Sequence, residues 1–407
     1  MNKCLICKSK DLQEILNLGI HPNSDTFISK DLLKETEPLE QLICCLCKKC
    51  GMVQNRNLVN EHQRYNLYDY SYTSANSSFA KKHWDDFANF LFKILELNSK
   101  NNMLEIGSND GYLAKNFQNK KVNSVCVDAS KKMVSLSKGM GLKSYVGIFN
   151  LKFSKILKKK EGQFDLVIAN NVFNHSNNPN DFLMGVKNLL KKNGSFVFEV
   201  LYWKDIVTNK RFDQIYHEHI SHFTAKSINK LLNNNNFRIH KIYRNSYHGG
   251  TLRVIAKRFD KKNKNITKDL KKFITIEKKM GLFELKIYSN FQKYLNNLKI
   301  QFNNKVFELL SKDYKIIGIG AGAKSNTFLN FMRLDYNSVN YVTDVSKYKI
   351  NKYMPLSRIP IKSDKILKKY KKVYALILSW NMDVRLIKKL KKINKNIKII
   401  SQKDFKY

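Results

Sequence analysis

Two apolar runs in this chain each break into a glycine-rich turn that opens a helical pattern, and nothing else in the sequence limits the fold as tightly. One is Met103-Leu-Glu105-Ile-Gly107-Ser-Asn109-Asp110-Gly111-Tyr-Leu; the other is Tyr314-Lys-Ile-Ile-Gly318-Ile-Gly320-Ala-Gly322-Ala-Lys324. Glycine at such a turn lets the backbone approach a ligand at the start of a helix, so each run reads as the opening of a parallel α/β unit. After the first, an apolar strand at 122–127 ends on Asp128, an acid placed to accept hydrogen bonds from both hydroxyls of a ribose. After the second, another apolar strand is followed by Asp344.

The two turns differ in chemistry. The first has the form E-x-G-x-x-x-G, and Asp110 beside it repels a diphosphate, whereas a sulfonium cofactor with an amino-acid tail tolerates acids. It resembles the first signature of the class I S-adenosylmethionine (SAM) methyltransferases, which makes Glu105, Gly107, Asn109, Gly111 and Asp128 expected cofactor residues. Asp165-Leu-Val-Ile-Ala-Asn170-Asn171 fits the fourth strand of that fold, adding Asn170, and Asn193-Gly-Ser-Phe-Val-Phe-Glu199 fits the fifth. The exit from the fourth strand, through His175, lacks the Pro-Pro-aromatic sequence with which amino-methylating nucleic-acid enzymes hold a flipped base. The second turn, taken alone, suggests a dinucleotide or an anion-binding helix N-terminus.

Six of the seven cysteines fall in the first fifty residues. Cys4-Leu-Ile-Cys7 and Cys47-Lys-Lys-Cys50-Gly51 are two knuckles, and four thiolates close a tetrahedral structural zinc site with no open position for chemistry. Cys44 also makes a CxxC with Cys47, so the second pair is open to Cys44 or Cys45. Cys126 lies in an apolar strand and reads as an inert core thiol.

The formal charge is +41, a balance that raises nucleic acid as a partner. Only 10 of the 74 cations are Arg, however, and a chain rich in Lys, Asn, Ile and Tyr reads as AT-rich codon drift, whereas phosphate recognition recruits Arg for its planar fork. Hydrophobic residues make up 43%, enough for a real core. No run approaches the roughly 20 apolar residues of a membrane span, and the start has no secretory pattern, so the expected compartment is the cytoplasm. Amphipathic helices are expected at 79–98 and 282–310, the latter connecting two domains.

An aromatic, hydroxyl-rich stretch, Tyr68-Asp-Tyr70-Ser-Tyr72-Thr-Ser74, precedes the first of these helices. Later comes Ile215-Tyr216-His217-Glu218-His219, a concentration of ionisable groups suited to general acid–base work. If extended, Tyr216 shares a face with Glu218 and His217 with His219; if it turns, three of them can converge on one pocket. Together with Leu18-Gly19 and Pro22 between the knuckles, Phe198-Glu199, and His248-Gly-Gly-Thr-Leu-Arg253, these runs span nearly the whole chain. The sequence resembles the sugar C-methyltransferases that act on nucleoside-diphosphate 4-keto-deoxysugars.

The resemblance implies a reaction in which a base removes the C3 proton acidified by the C4 ketone, and the enolate attacks the sulfonium methyl. The matching positions make His219 the base with Tyr216 and Glu218 beside it, while His175 and Tyr72 hydrogen-bond the ketone or enolate oxygen. His248, Arg253 and Lys324 become candidates for the sugar or diphosphate, with a structural role at the domain seam the alternative for His248 and Arg253, and the C-terminal α/β lobe is expected to help hold the nucleotide sugar without a second cofactor. Two departures stand out: Asp128-Ala-Ser replaces Glu-Pro-Ser, and Pro355-Leu-Ser replaces a Pro-Gly-x turn.

The expected architecture is α/β: a zinc-binding domain (1–61), a class I methyltransferase domain with a Rossmann-like core (62–257) and a Rossmann-like C-terminal domain (258–407), in a monomer or homodimer. The expected cofactors are SAM and structural Zn2+. Two rivals remain: a zinc-ribbon RNA methyltransferase, and a non-catalytic nucleotide-sugar-binding protein.

Overall fold

The computed structural model describes residues 2–61, 73–75, 77–259, 266–378 and 383–405. The expectations placed on Tyr72 and the aromatic stretch before it lie outside these residues.

The N-terminal lobe is built on β1 (Leu12–Pro22), β2 (Leu39–Cys47) and β3 (Val53–Asn55), each antiparallel to the next. The Cys47–Cys50 knuckle is the turn between β2 and β3. Gly51 closes it at φ +74, and a Cβ there would lie 2.5 Å from the Phe283 ring, so both conformation and space demand glycine.

The central lobe begins with α1 (Ser78–Ile94), whose N-cap Ser77 side chain accepts from the Ala80 amide and whose buried Trp84, Phe87 and Leu91 form one stripe. Alternation then runs through β4 (Asn102–Ile106), α2 (Tyr112–Asn119), β5 (Asn123–Asp128), α3 (Lys131–Gly139), β6 (Lys143–Val146), α4 (Leu151–Glu161), β7 (Phe164–Ile168), α5 (Pro179–Leu189) and β8 (Leu190–Leu201). Next come α6 (Trp203–Thr208), β9 (Ser221–His222), α7 (Ala225–Asn234), β10 (Phe237–Asn245) and β11 (Thr251–Arg258). The seven-stranded sheet has the order β10-β11-β8-β7-β4-β5-β6, with β11 antiparallel to both neighbours and the other pairs parallel. Covered on both faces, its strands read as continuous apolar runs. The order reverses at β4, so the turn after that strand faces a crevice at the strands' carboxyl ends.

The C-terminal lobe carries α8 (Lys268–Lys279), α9 (Leu285–Ser311), β12 (Lys315–Ile319), α10 (Ala323–Met332), β13 (Tyr341–Thr343), β14 (Ile361–Lys362), β15 (Val373–Ile377), α11 (Asp383–Ile393) and β16 (Lys398–Ile400). Its five strands are all parallel, in the order β14-β13-β12-β15-β16.

Helix α9 welds the lobes together. Its buried Tyr288, Phe291, Leu295, Leu298, Phe302, Val306 and Leu309 recur at three- and four-residue steps, and they share one core with Leu16 and Leu18 of β1, Trp203 and Ile206 of α6, and Leu329 of α10. Each such side chain contributes about 1.5–3 kcal/mol on leaving water. Trp203 donates to the Tyr288 hydroxyl, which in turn donates to the Leu282 carbonyl. The turn expected to depart from Pro-Gly-x does so in an informative way: Leu356 takes φ +60, the left-handed region that glycine fills without a Cβ penalty. No helix among the described residues is long and apolar enough to cross a membrane.

Candidate active site

The four thiols Cys4, Cys7, Cys47 and Cys50 stand within 4.8 Å of one another, with Cys4–Cys50 and Cys7–Cys47 each at 3.6 Å between sulfurs. A tetrahedral zinc with bonds near 2.3 Å sets sulfurs about 3.8 Å apart, so the donor set fits that ion. Cys44, the open alternative, points elsewhere and donates to Asn55 Oδ1, and burial pushes the Cys44 and Cys45 thiols upward. The first knuckle is held to the central lobe by Asn180, whose amide donates to the Leu5 carbonyl at 2.9 Å.

A cavity of about 360 Å³ opens where the three lobes meet. On one side lies the first glycine turn. Gly107 has φ +68, and a Cβ on it would strike Val172 at 2.7 Å; Gly111, at φ +83, leaves Leu142 and Ser137 no room for one. Asn109 takes φ +53; its amide donates to Asp128 Oδ2 at 2.8 Å, and its side-chain oxygen accepts from the Ser74 amide. The Asp128 Oδ1 atom accepts from the Ser130 amide, and burial raises its carboxyl against the pull of both amides.

Glu105 is buried at the end of β4. Its Oε2 finds no partner among the described residues, and burial, then Asp110, pushes the carboxyl well above its usual range. Asn170 Oδ1 accepts from the Glu199 amide, while its buried Nδ2 is likewise unpartnered among the described residues. A buried acid with an oxygen unpartnered among the described residues, beside Asp110 and Asp128, suits a cationic, hydroxyl-bearing ligand whose charge favours its ionised form, and it rejects a diphosphate, so these residues fit SAM.

Opposite sits the Tyr-His-Glu-His run, which turns: the His219 amide donates to the Tyr216 carbonyl at 3.0 Å. Tyr216, Glu218 and His219 all line the cavity, while His217 does not. His219 Nδ1 lies 2.7 Å from the Gln214 carbonyl, an acceptor only, so Nδ1 carries the hydrogen and Nε2 accepts from the Tyr216 hydroxyl at 2.6 Å. Burial, then the neighbouring His175, holds the His219 imidazole well below its usual pKa despite the Gln214 carbonyl. The His175 ring is stacked 5.2 Å from that of His219.

The third side is the second glycine turn, where Gly322 caps α10 and Lys324 faces the cavity. Burial, countered by Asp213, pushes the Lys324 ammonium down to about 8. His248 also lines the cavity, strained at φ +50, with its carbonyl accepting from Gln214 Nε2 at 2.8 Å.

Arg253 was open to two readings, a ligand of the sugar or diphosphate and a structural role at the domain seam. It does not line the cavity: its Nε donates to buried Glu199 at 2.6 Å, and the guanidinium lies 4.4 Å and 4.9 Å from the Phe87 and Phe90 ring centres. A cation stacked on two rings and paired with a buried carboxylate matches the structural role. His83 binds the other Glu199 oxygen and stacks on Tyr247, 3.6 Å away, which lines the cavity. Burial raises the Glu199 carboxyl, but His83 and Arg253 outweigh it and hold it low. The sequence reading missed His83 and Tyr247 in this wall, as it missed Gln214 and Asn55. Only Gln214 carried a local signal, its place beside the Tyr-His-Glu-His run.

Comparison with known proteins covers nearly the whole chain. Three family models match in series: "Putative zinc binding domain" over residues 4–65, "Methyltransferase domain" over 77–242 and "C-methyltransferase C-terminal domain" over 246–401. The C-methyltransferase NovU of Streptomyces niveus is 23% identical over 396 residues, covering 97% of this chain and 94% of that protein. Among solved structures, the PH0226 protein of Pyrococcus horikoshii OT3 is 13% identical over 49% of this chain and 100% of its own, with a TM-score of 0.39. Magnesium protoporphyrin IX methyltransferase of Synechocystis PCC 6803 is 15% identical over 44% of this chain and 83% of its own, with a TM-score of 0.36. With its four-cysteine zinc site, its acidic glycine turn and all three domains matched in order, the chain belongs to the SAM-dependent C-methyltransferases.

Proposed function

We propose that the protein methylates C3 of a nucleoside-diphosphate 4-keto-deoxysugar, in deoxysugar or surface-polysaccharide biosynthesis. The observation that carries this reading is His219: a desolvated, neutral imidazole of fixed tautomer in the same cavity as the SAM turn. Asp128 holds the cofactor's ribose hydroxyls, while Glu105, Asn109 and Asn170, with the backbone at Gly107 and Gly111, hold the rest of it. Bound SAM supplies an electrophilic methyl group; the chain's task is to make and hold the carbon nucleophile.

His219 Nε2 takes the C3 proton, and the Tyr216 hydroxyl that now occupies that lone pair either relays the proton or turns to the enolate oxygen. His175 and Glu218 complete the group around the reacting carbonyl, and donors aimed at a developing oxyanion supply a large share of such rate enhancements. Lys324, at the N-terminus of α10, meets the diphosphate with His248 beside it. On this reading the C-terminal lobe needs no second cofactor. Lys349, which lines the same cavity, donates to the Ala321 carbonyl at 2.7 Å and lies over the Phe27 ring of the N-terminal lobe, covering the crevice above the second turn.

The test is incubation with labelled SAM and a panel of nucleoside-diphosphate 4-keto sugars, with deuterium exchange at C3 measured without SAM. Exchange and methyl transfer to one sugar support the reading, and His219→Asn should abolish both while leaving SAM affinity near wild type. Methyl transfer to RNA, with tight, steeply salt-dependent binding, would replace it.

A further inference from the structure

The base-bearing turn is gripped by a residue of the zinc lobe that touches no reacting group. Asn55 closes β3 and is 1% exposed. Its amide nitrogen Nδ2 donates to the Tyr216 carbonyl at 3.0 Å, and its Oδ1 accepts from His222 Nε2 at 3.1 Å and from the Cys44 thiol at 3.7 Å. Its backbone amide donates to the Ile220 carbonyl at 2.9 Å, and β3 pairs antiparallel with β9, Val53 opposite His222.

The Tyr216 carbonyl therefore accepts twice, from Asn55 Nδ2 and from the His219 amide, each at 3.0 Å. The second bond closes the turn that sets the phenol against the imidazole; the first fixes where that turn sits. From the other side, Thr327 of α10 donates its hydroxyl to the neighbouring Ile215 carbonyl at 3.2 Å. Adjacent carbonyls are thus held by lobes at the two ends of the chain. Because the Cys47–Cys50 knuckle is the β2–β3 turn, the zinc site braces the strand that carries Asn55.

We infer that Asn55 is a positioning residue, which fixes the Tyr216–His219 pair through the Tyr216 carbonyl and makes the zinc lobe part of the frame of the proton-transfer site. This rests on the reading that His219 and Tyr216 carry out that transfer. Asn55→Asp keeps the shape and the acceptor facing His222 but replaces the donor to Tyr216 with a second acceptor. Asn55→Ala removes the donor without adding a buried charge.

Both variants should retain one zinc per chain and SAM affinity within about twofold of wild type, while kcat for C3 deuterium exchange falls about 10- to 100-fold with little change in KM, as misplacement of a reacting group produces. Histidine-selective 15N spectra provide a readout independent of any substrate: wild-type His219 should show a fixed Nδ1–H tautomer, and the variants an averaged pair. A zinc-loaded variant with wild-type exchange and a wild-type imidazole pattern overturns the inference. So does loss of zinc in both variants, which would make Asn55 a framework residue of its lobe. If wild-type protein exchanges C3 of no keto sugar, the proposed substrate is wrong, and the imidazole spectra still decide Asn55.

Discussion

Tyr216 gives its phenolic hydrogen to His219 Nε2 across 2.6 Å, while His219 spends Nδ1–H on the Gln214 carbonyl. The imidazole is a neutral acceptor, and burial beside His175 delays its protonation to a pH well below the usual histidine value of 6.5. A base whose native pKa is depressed keeps working until the pH falls through that lower value. The kcat for C3 exchange should therefore stay level from pH 8 through 6.5. An acid limb with its midpoint near 6.5 would show that some other group sets the rate.

The zinc site separates the six N-terminal cysteines into two classes. Cys50→Ser removes one of four thiolates, and because binding energy at a structural zinc is folding energy, the variant should lose the metal and C3 exchange together. Cys44→Ala, which gives up only a weak contact with Asn55, should keep one zinc per chain. Elemental analysis of the purified proteins checks both. Zinc loss from the Cys44 variant would put that thiol in the metal site after all.

What could be read from the sequence was chemistry written in neighbouring residues. The two knuckles, the turn from Glu105 to Gly111 and the Tyr-His-Glu-His run each keep their own members within a few positions, and backbone geometry brings those together. Arg253 stayed open between a ligand and a structural role because its surroundings are set by Phe87, Phe90 and Glu199, none of them near it in the chain. Asn55 gave no signal at all: its partner carbonyl is 161 residues away. Whether Tyr216 and His219 meet depended on a turn, and the same letters fit an extended strand that separates them.

Leu356 marks a place where this chain carries strain. At φ +60 an L residue costs about 1–2 kcal/mol, against about 0.5–1 kcal/mol of extra chain entropy lost by glycine. The side chain is 40% exposed, so little packing offsets the difference. Leu356→Gly should raise stability by up to about 1 kcal/mol in urea unfolding, and Leu356→Val should lower it. Equal stability of the Gly and Val variants would refute a strained turn.

Glu277 gives the protein a second pH dependence, one of stability. The carboxylate is fully buried and caps α7 from outside, accepting from the Ala225 and Lys226 amides, yet burial pushes it up to about 7 against those donors. Its native pKa is thus raised above the unfolded value near 4.5. The stability it contributes is complete below that unfolded value, falls as the unfolded chain gives up a proton that the native state keeps, and is gone once the pH passes about 7. At about 1.4 kcal/mol per unit, the change is on the order of 3 kcal/mol. Glu277→Gln cannot titrate, and its amide meets the Lys226 N–H donor to donor. It should therefore be much less stable than wild type at pH 5, with the gap narrowing toward pH 8. A gap that stays constant across that range in denaturant unfolding would mean that Glu277 is ionised in the native protein throughout, its two helix amides outweighing the cost of burial.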